Sequence, residues 1–98
     1  MTGLIDPEGN ETRVLHELVN FTGQDVLEIG CGDGRLMWRY ADHAATVLGI
    51  DPVEADIQIA RSATPKHLRS KVSFRVADAV TVDIASDSFD VVVFGRSI

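Results

Sequence analysis

Three glycines at alternate positions, Gly30, Gly32 and Gly34, follow directly on the short apolar run Val26-Leu27-Glu28-Ile29. Glycine has no Cβ, so such a stretch can turn sharply and lets a ligand come close to the backbone. A short apolar run that stops at a glycine reads as a strand. Beyond it, Leu36, Met37, Tyr40, Ala41 and Ala44 recur at helical spacing, which predicts a helix from about Gly34. Strand, glycine turn and helix together point to an α/β chain.

The rest of the chain continues the alternation. Gly3, Asp6-Pro7 and Gly9 mark residues 1–10 as an irregular lead-in. Val14, Leu15, Leu18 and Val19 predict a helix over Glu11 to Phe21, with Asn10 as N-cap and Thr22-Gly23 as its end. Thr46 to Asp51 is the second strand. Asp51-Pro52-Val53-Glu54 reads as a helix start: Asp51 caps, Pro52 takes the first helical position and Glu54 reaches back. Val53, Ile57 and Ala60 are expected on one face of this helix, which should stop before Pro65. Val72 to Val76 is strand three and Phe89 to Phe94 strand four. The connection Ala77 to Ser88, with Val80, Val82 and Ile84 alternating with polar residues, is long enough to cross several strands. This order implies a parallel sheet with helices on both faces.

Ninety-eight residues make a single domain, 1–98, of ordinary soluble composition, 45% hydrophobic and 24% charged. No apolar stretch is long enough to span a membrane, and the N-terminus lacks the basic start and apolar run of a signal peptide. Cys31, the single cysteine, excludes an internal disulfide and fits a reducing compartment, so a cytoplasmic location is expected. The net charge of -6 does not indicate nucleic-acid binding. One basic stretch, Arg61, Lys66, His67, Arg69, Lys71 and Arg75, is broken by Pro65 and reads as a solvated face. His16, His43 and His67 are too scattered to suggest a metal site.

The glycine loop narrows the ligand. Dinucleotide-binding sheets use G-x-G-x-x-G with a pyrophosphate at the helix end. Here the third glycine comes one residue early, Arg35 stands in its place, and Glu28 precedes the first glycine by two residues. A carboxylate there would repel a pyrophosphate and favour a ligand bearing an ammonium or sulfonium.

Glu28-x-Gly30-x-Gly32-x-Gly34 after an apolar strand resembles motif I of the class I S-adenosylmethionine-dependent methyltransferases. Three further features match in order: Asp51 at the end of strand two, Ala77-Asp78-Ala79 after strand three, and Ser88-Phe89-Asp90-Val91-Val92-Val93 at strand four. The resemblance spans roughly residues 14 to 98. It implies a Rossmann-like open parallel sheet of order 3-2-1-4 and S-adenosyl-L-methionine as cofactor. It also implies a cofactor site drawn from Glu28, Gly30, Cys31, Gly32, Gly34, Asp51, Pro52, Asp78, Ala79 and Gly95. In that family the acid at Asp51 accepts the ribose hydroxyls and the acid at Asp78 lies near the adenine amino group. The loop amides then meet the methionyl carboxylate, and Glu28 orders the loop and the ammonium side. Cys31 is either a small residue that the loop tolerates or a thiol beside a helix N-terminus. Trp38 and Tyr40 read as helix packing, the Phe89-Asp90 pair as a strand start, and Arg96 and Ser97 as neighbours of cofactor or substrate.

The family's sheet has seven strands of order 3-2-1-4-5-7-6, and this sequence runs out after the fourth. Val91 to Phe94 reads as a strand buried on both faces, without the charges that protect an edge. The expectation is therefore a fragment, or a half-domain completed by self-association or a partner chain through strand four; a stable monomer in light scattering would count against it. The leading reading is the cofactor-binding portion of a methyltransferase of unspecified acceptor, inactive on its own. Rival readings are a noncatalytic S-adenosylmethionine-binding module, an NAD-binding fragment and a structural subunit that binds neither ligand.

Overall fold

The computed structural model describes residues 20–78 and 88–95. Four parallel strands, β1 (Asp25–Ile29), β2 (Thr46–Asp51), β3 (Val72–Val76) and β4 (Val91–Phe94), form one sheet of order β3-β2-β1-β4. This is the expected order. The expected bounds of β2 and β3 hold to the residue. Strand β1 starts one residue earlier than expected, and β4 begins at Val91 because Phe89 and Asp90 precede its ladder.

Asp25 and Asp90 account for the common starting line of the strands. The Asp90 amide donates to the Asp25 carbonyl at 2.8 Å, and the Asp25 amide donates back to Asp90 Oδ2 at 2.9 Å. Thr46 Oγ1 donates to Asp25 Oδ1 at 2.7 Å, which ties in β2. Asp90 is thus a strand-start residue at the N-terminal end of the sheet, as the resemblance implied.

The described residues contain one α-helix, α1 (Glu54–Ala63), packed against β2 and β3 through Ile57 and Ala60, both fully buried. It ends before Pro65, as expected. Its start is later than expected, however, and is not the predicted capping box. Pro52 lies outside the helix, and Val53 occupies the N-cap position in extended conformation with no side-chain cap bond. Asp51 Oδ1 accepts from the Val53 amide at 2.9 Å, which holds that amide out of helical register. Val53 is 44% exposed and so does not share the buried face of Ile57 and Ala60.

The helix expected from Gly34 is reduced to turns around a 3-10 segment, Met37–Arg39. The predicted stripe is nevertheless buried, at Met37, Tyr40, Ala41 and Ala44. The carbonyls at the end of this segment find partners elsewhere in the chain. Those of Asp42 and Ala44 accept from Lys71 Nζ, at 2.9 and 2.8 Å, and that of His43 accepts from the Gly23 amide at 3.0 Å. The core gathers Phe21, Val26, Met37, Tyr40, Val47, Ile57, Leu68 and Val93. Phe21 and Tyr40 stack with ring centroids 4.4 Å apart. The predicted helix over Glu11–Phe21 and the connection Ala77–Ser88 fall mostly outside the described residues. Among the described residues no helix is long and apolar enough to cross a membrane.

Candidate functional site

Parallel strands bring their C-terminal ends to one edge, where backbone groups leave the ladder and loops diverge. Here β1 ends in the glycine loop, β2 in Asp51, β3 in Ala77-Asp78 and β4 in Gly95. Backbone bonds lock these ends together. The amides of Gly30 and Cys31 donate to the Ile50 carbonyl at 2.8 and 3.0 Å, that of Ala77 to the Asp51 carbonyl at 3.0 Å, and that of Gly95 to the Ile29 carbonyl at 2.9 Å.

The loop conformation explains its alternating glycines. Gly30, Gly32 and Gly34 have φ of 73°, 56° and 91°, a region that side chains with a Cβ rarely adopt. At Gly34 the space is also taken, because a Cβ there would lie 2.8 Å from Trp38 Cζ2.

Asp51 is the hinge between loop and sheet. Only 2% exposed, it accepts from the Gly32 amide through Oδ2 at 2.9 Å and from the Val53 amide through Oδ1 at 2.9 Å. Each oxygen has one amide partner, and each retains acceptor capacity for a hydroxyl. The expectation that loop amides wait for a ligand carboxylate does not hold for most of them. Those of Gly30, Cys31, Gly32, Gly34 and Arg35 all donate within the protein, to Ile50, Asp51, the Cys31 carbonyl and Asp33 Oδ1. With the long helix absent, its N-terminus is absent as an anion site too.

Glu28 lies beneath this loop, fully buried. Its Oε1 accepts the Tyr40 hydroxyl at 2.6 Å. Its Oε2 has no partner among the described residues. Burial pushes the carboxyl up from 4.5 to about 8, with the Tyr40 bond pulling the other way, so the free protein holds it protonated at neutral pH. The same burial, together with the neighbouring acid, drives the Tyr40 hydroxyl well above its ordinary range. Gly95 faces this carboxyl: a Cβ there would collide with Glu28 Oε2 and come within 2.9 Å of the Gly30 carbonyl. Glycine at 95 is the space that Glu28 occupies.

The remaining expected site residues divide. Pro52 and Asp78 are exposed at the same edge, beyond β2 and β3. Cys31 is buried in the core, its thiol 3.7 Å from the Gly32 carbonyl. It belongs to the packing beneath the loop, not to a surface beside a helix N-terminus. Ala79, Arg96 and Ser97 lie outside the described residues. Sequence reading missed Tyr40, which it placed in helix packing. The available signal was that a buried acid needs a donor and that Tyr40 is an apolar-stripe residue carrying one.

Glu28 Oε2 is a buried polar atom without a partner, in a carboxyl that a neighbouring cation would ionise, and Asp51 is an acceptor for hydroxyls. That donor and acceptor chemistry fits a ligand bringing an ammonium and a diol, as S-adenosylmethionine does.

The family model described as "Methyltransferase domain" matches residues 26–97. The methyltransferase GfsG of Streptomyces halstedii is 37% identical over 93 residues, covering 88% of this chain and 34% of that protein. A ubiquinone biosynthesis O-methyltransferase of Agrobacterium fabrum is 41% identical over 70 residues, covering 71% of this chain and 28% of that protein. Among solved structures, phosphoethanolamine N-methyltransferase 1 of Haemonchus contortus, in complex with phosphoethanolamine and S-adenosylhomocysteine, superposes with a TM-score of 0.72. It is 32% identical, over 81% of this chain and 16% of that one. The chain thus spans about a third or less of the length of these relatives.

Proposed function

From the fact that the chain belongs to the methyltransferase-domain family, we propose that its sheet edge binds S-adenosyl-L-methionine and forms the cofactor-binding portion of an S-adenosylmethionine-dependent methyltransferase. The observation that carries this reading is the unpartnered Oε2 of Glu28, buried under the glycine loop. A buried polar group without a partner is costly, and a ligand ammonium, directly or through water, would give it one by drawing the carboxyl into its ionised form. A dinucleotide pyrophosphate would add negative charge there instead.

The roles follow from position. Asp51 would hold the ribose hydroxyls while its amide bonds keep the loop at a fixed distance from β2. Asp78 would meet the adenine side beyond β3, with Pro52 flanking. Gly30, Gly32 and Gly34 give the loop its course, Cys31 fills the space beneath it, and Gly95 admits the Glu28 side chain. The bound cofactor supplies an electrophilic methyl group. These residues bind and orient it, and holding reactants in line supplies much of the acceleration in such displacements. None of them is placed to take a proton from an acceptor, so the acceptor class is set elsewhere. Strand β4 pairs only with β1 among the described residues, and its free side is where a further strand or a partner chain would add.

Isothermal titration of the chain with S-adenosylmethionine and S-adenosylhomocysteine, with NAD as competitor, tests the reading. Binding that NAD does not displace is expected. A folded chain that binds neither adenosyl ligand, or that prefers NAD, would remove it. Binding without methyl transfer to any acceptor, in every partner condition, would favour a noncatalytic binding module.

A further inference from the structure

The basic stretch is exposed, as its sequence suggests, at Arg61, Lys66, His67, Arg69 and Arg75, but two of its cations share one cavity. Arg61 reaches β3, the edge of the sheet opposite β4, and Arg69, anchored on the Thr64 carbonyl, lines the same cavity, while Lys71 lies beside Asp42 and Ala44 ahead of β2. Arg61, Thr64, Arg69, Ser73 and Phe74 line a cavity of about 250 Å³. A second cavity of about 320 Å³ shares Arg69 and Ser73 and adds Thr46, Ser70 and Lys71.

The partners of these cations matter more than their number. Arg61 Nη2 donates to the Phe74 carbonyl at 2.9 Å, which caps an outward-facing group of the edge strand. Arg69 Nε donates to the Thr64 carbonyl at 3.2 Å. Lys71 Nζ donates to the Asp42 and Ala44 carbonyls. None of the three makes an ion pair with a carboxylate among the described residues. Each guanidinium uses one of its five N–H groups as an anchor. The rest of each fork is left for an oxyanion, and the anchor reduces the conformational entropy lost on binding.

We propose that this edge is a second binding site, for a small ligand carrying one or two phosphoryl groups, held between Arg61 and Arg69 with Lys71 and the Ser70 and Ser73 hydroxyls around it. Short cavities, rather than a long basic groove, fit a compact oxyanion. The acidic chain repels an extended polyanion, which sets nucleic acid aside as the occupant. The site lies beside the outer edge of β3, toward the start of that strand, whereas the candidate cofactor site lies across the C-terminal ends of the strands. The two sites therefore stand or fall separately.

Two-dimensional 1H–15N spectra of the chain titrated with inorganic pyrophosphate test the proposal. Saturable shifts are expected at residues 69–74 and at the Arg61 and Arg69 Nε–H signals, with Gly30 to Gly34 unmoved. R61Q/R69Q should weaken binding by about tenfold or more, given the strength of charge-assisted contacts. No saturable shift, shifts centred on the glycine loop, or unchanged affinity in the folded double variant would each overturn the site. So would shifts produced only by a single-stranded oligonucleotide. Should the double variant fail to fold, the guanidinium signals of the wild-type chain decide: if pyrophosphate leaves them unmoved, the proposal fails.

Discussion

The Tyr40 hydroxyl donates to Glu28 Oε1 at 2.6 Å, and both side chains are wholly excluded from water. This pair links the turn after the glycine loop to the middle of the sheet, since Glu28 sits on β1 opposite Gly49 of β2 and Val93 of β4. Removing the hydroxyl leaves a buried carboxyl with no donor at either oxygen. Tyr40→Phe should therefore cost about 1–3 kcal/mol, read from urea unfolding. An unchanged midpoint would mean that water reaches the pair.

The same carboxyl makes stability depend on pH. Its folded value of about 8 lies above its unfolded value of 4.5, so between them the folded state binds the extra proton. Glu28's contribution is fully present below about pH 4.5 and is lost as pH rises through about 8. Across that window the slope approaches ~1.4 kcal/mol per pH unit. Urea midpoints from pH 5 to 8.5 should fall for the wild type and flatten in Glu28→Gln. Parallel profiles for the two proteins would show that some other group titrates.

Ligand binding should reverse the sign. If an ammonium ionises Glu28, S-adenosylhomocysteine must displace its proton, so affinity should rise with pH up to about 8 and binding should release a proton. Calorimetry in two buffers of different ionisation enthalpy measures that release. Release of no proton would leave Glu28 as a scaffold residue only.

Asp51→Ala takes an acceptor from both the Gly32 and Val53 amides. It also removes the acceptor of the ribose hydroxyls, and loss of one such charged bond, worth ~1.5–3 kcal/mol, should weaken cofactor affinity by about tenfold to a hundredfold. Unchanged affinity in a folded Asp51→Ala would exclude Asp51 from the site.

Gly95→Ala drives a methyl group into the Glu28 carboxyl and the Gly30 carbonyl. Overpacking of this kind costs about 1–3 kcal/mol, and a lowered thermal midpoint should record it. Replacing the carboxyl by a shorter side chain, in Glu28→Ala/Gly95→Ala, should recover part of that loss. Additive losses would place the strain elsewhere.

The strands were legible because their signals are local. Val72 to Val76 and Thr46 to Asp51 are short apolar or β-branched runs bounded by turn residues, and parallel pairing accepts such runs directly. Helix starts were less legible. Asp51 was read as a cap from its neighbours alone, but its carboxylate is taken by Gly32 and Val53. The stripe from Leu36 to Ala44 has helical periodicity and does bury. Yet it forms turns around a short 3-10 segment, and its last carbonyls accept from Lys71 and Gly23, distant in sequence.

By itself the sequence determined the class of the fold, the parallel order implied by its alternation, and the course of the glycine loop, where backbone sterics act residue by residue. Tertiary structure alone decided which groups meet. It set Tyr40 against Glu28 and left one carboxyl oxygen without a donor. It also seated Glu28 in the space that Gly95 leaves open, and brought Arg61 and Arg69 to one cavity beside β3. Local propensity depends on a residue's neighbours in the chain, whereas a buried charge or an unpaired oxygen depends on partners that only the folded chain brings within reach.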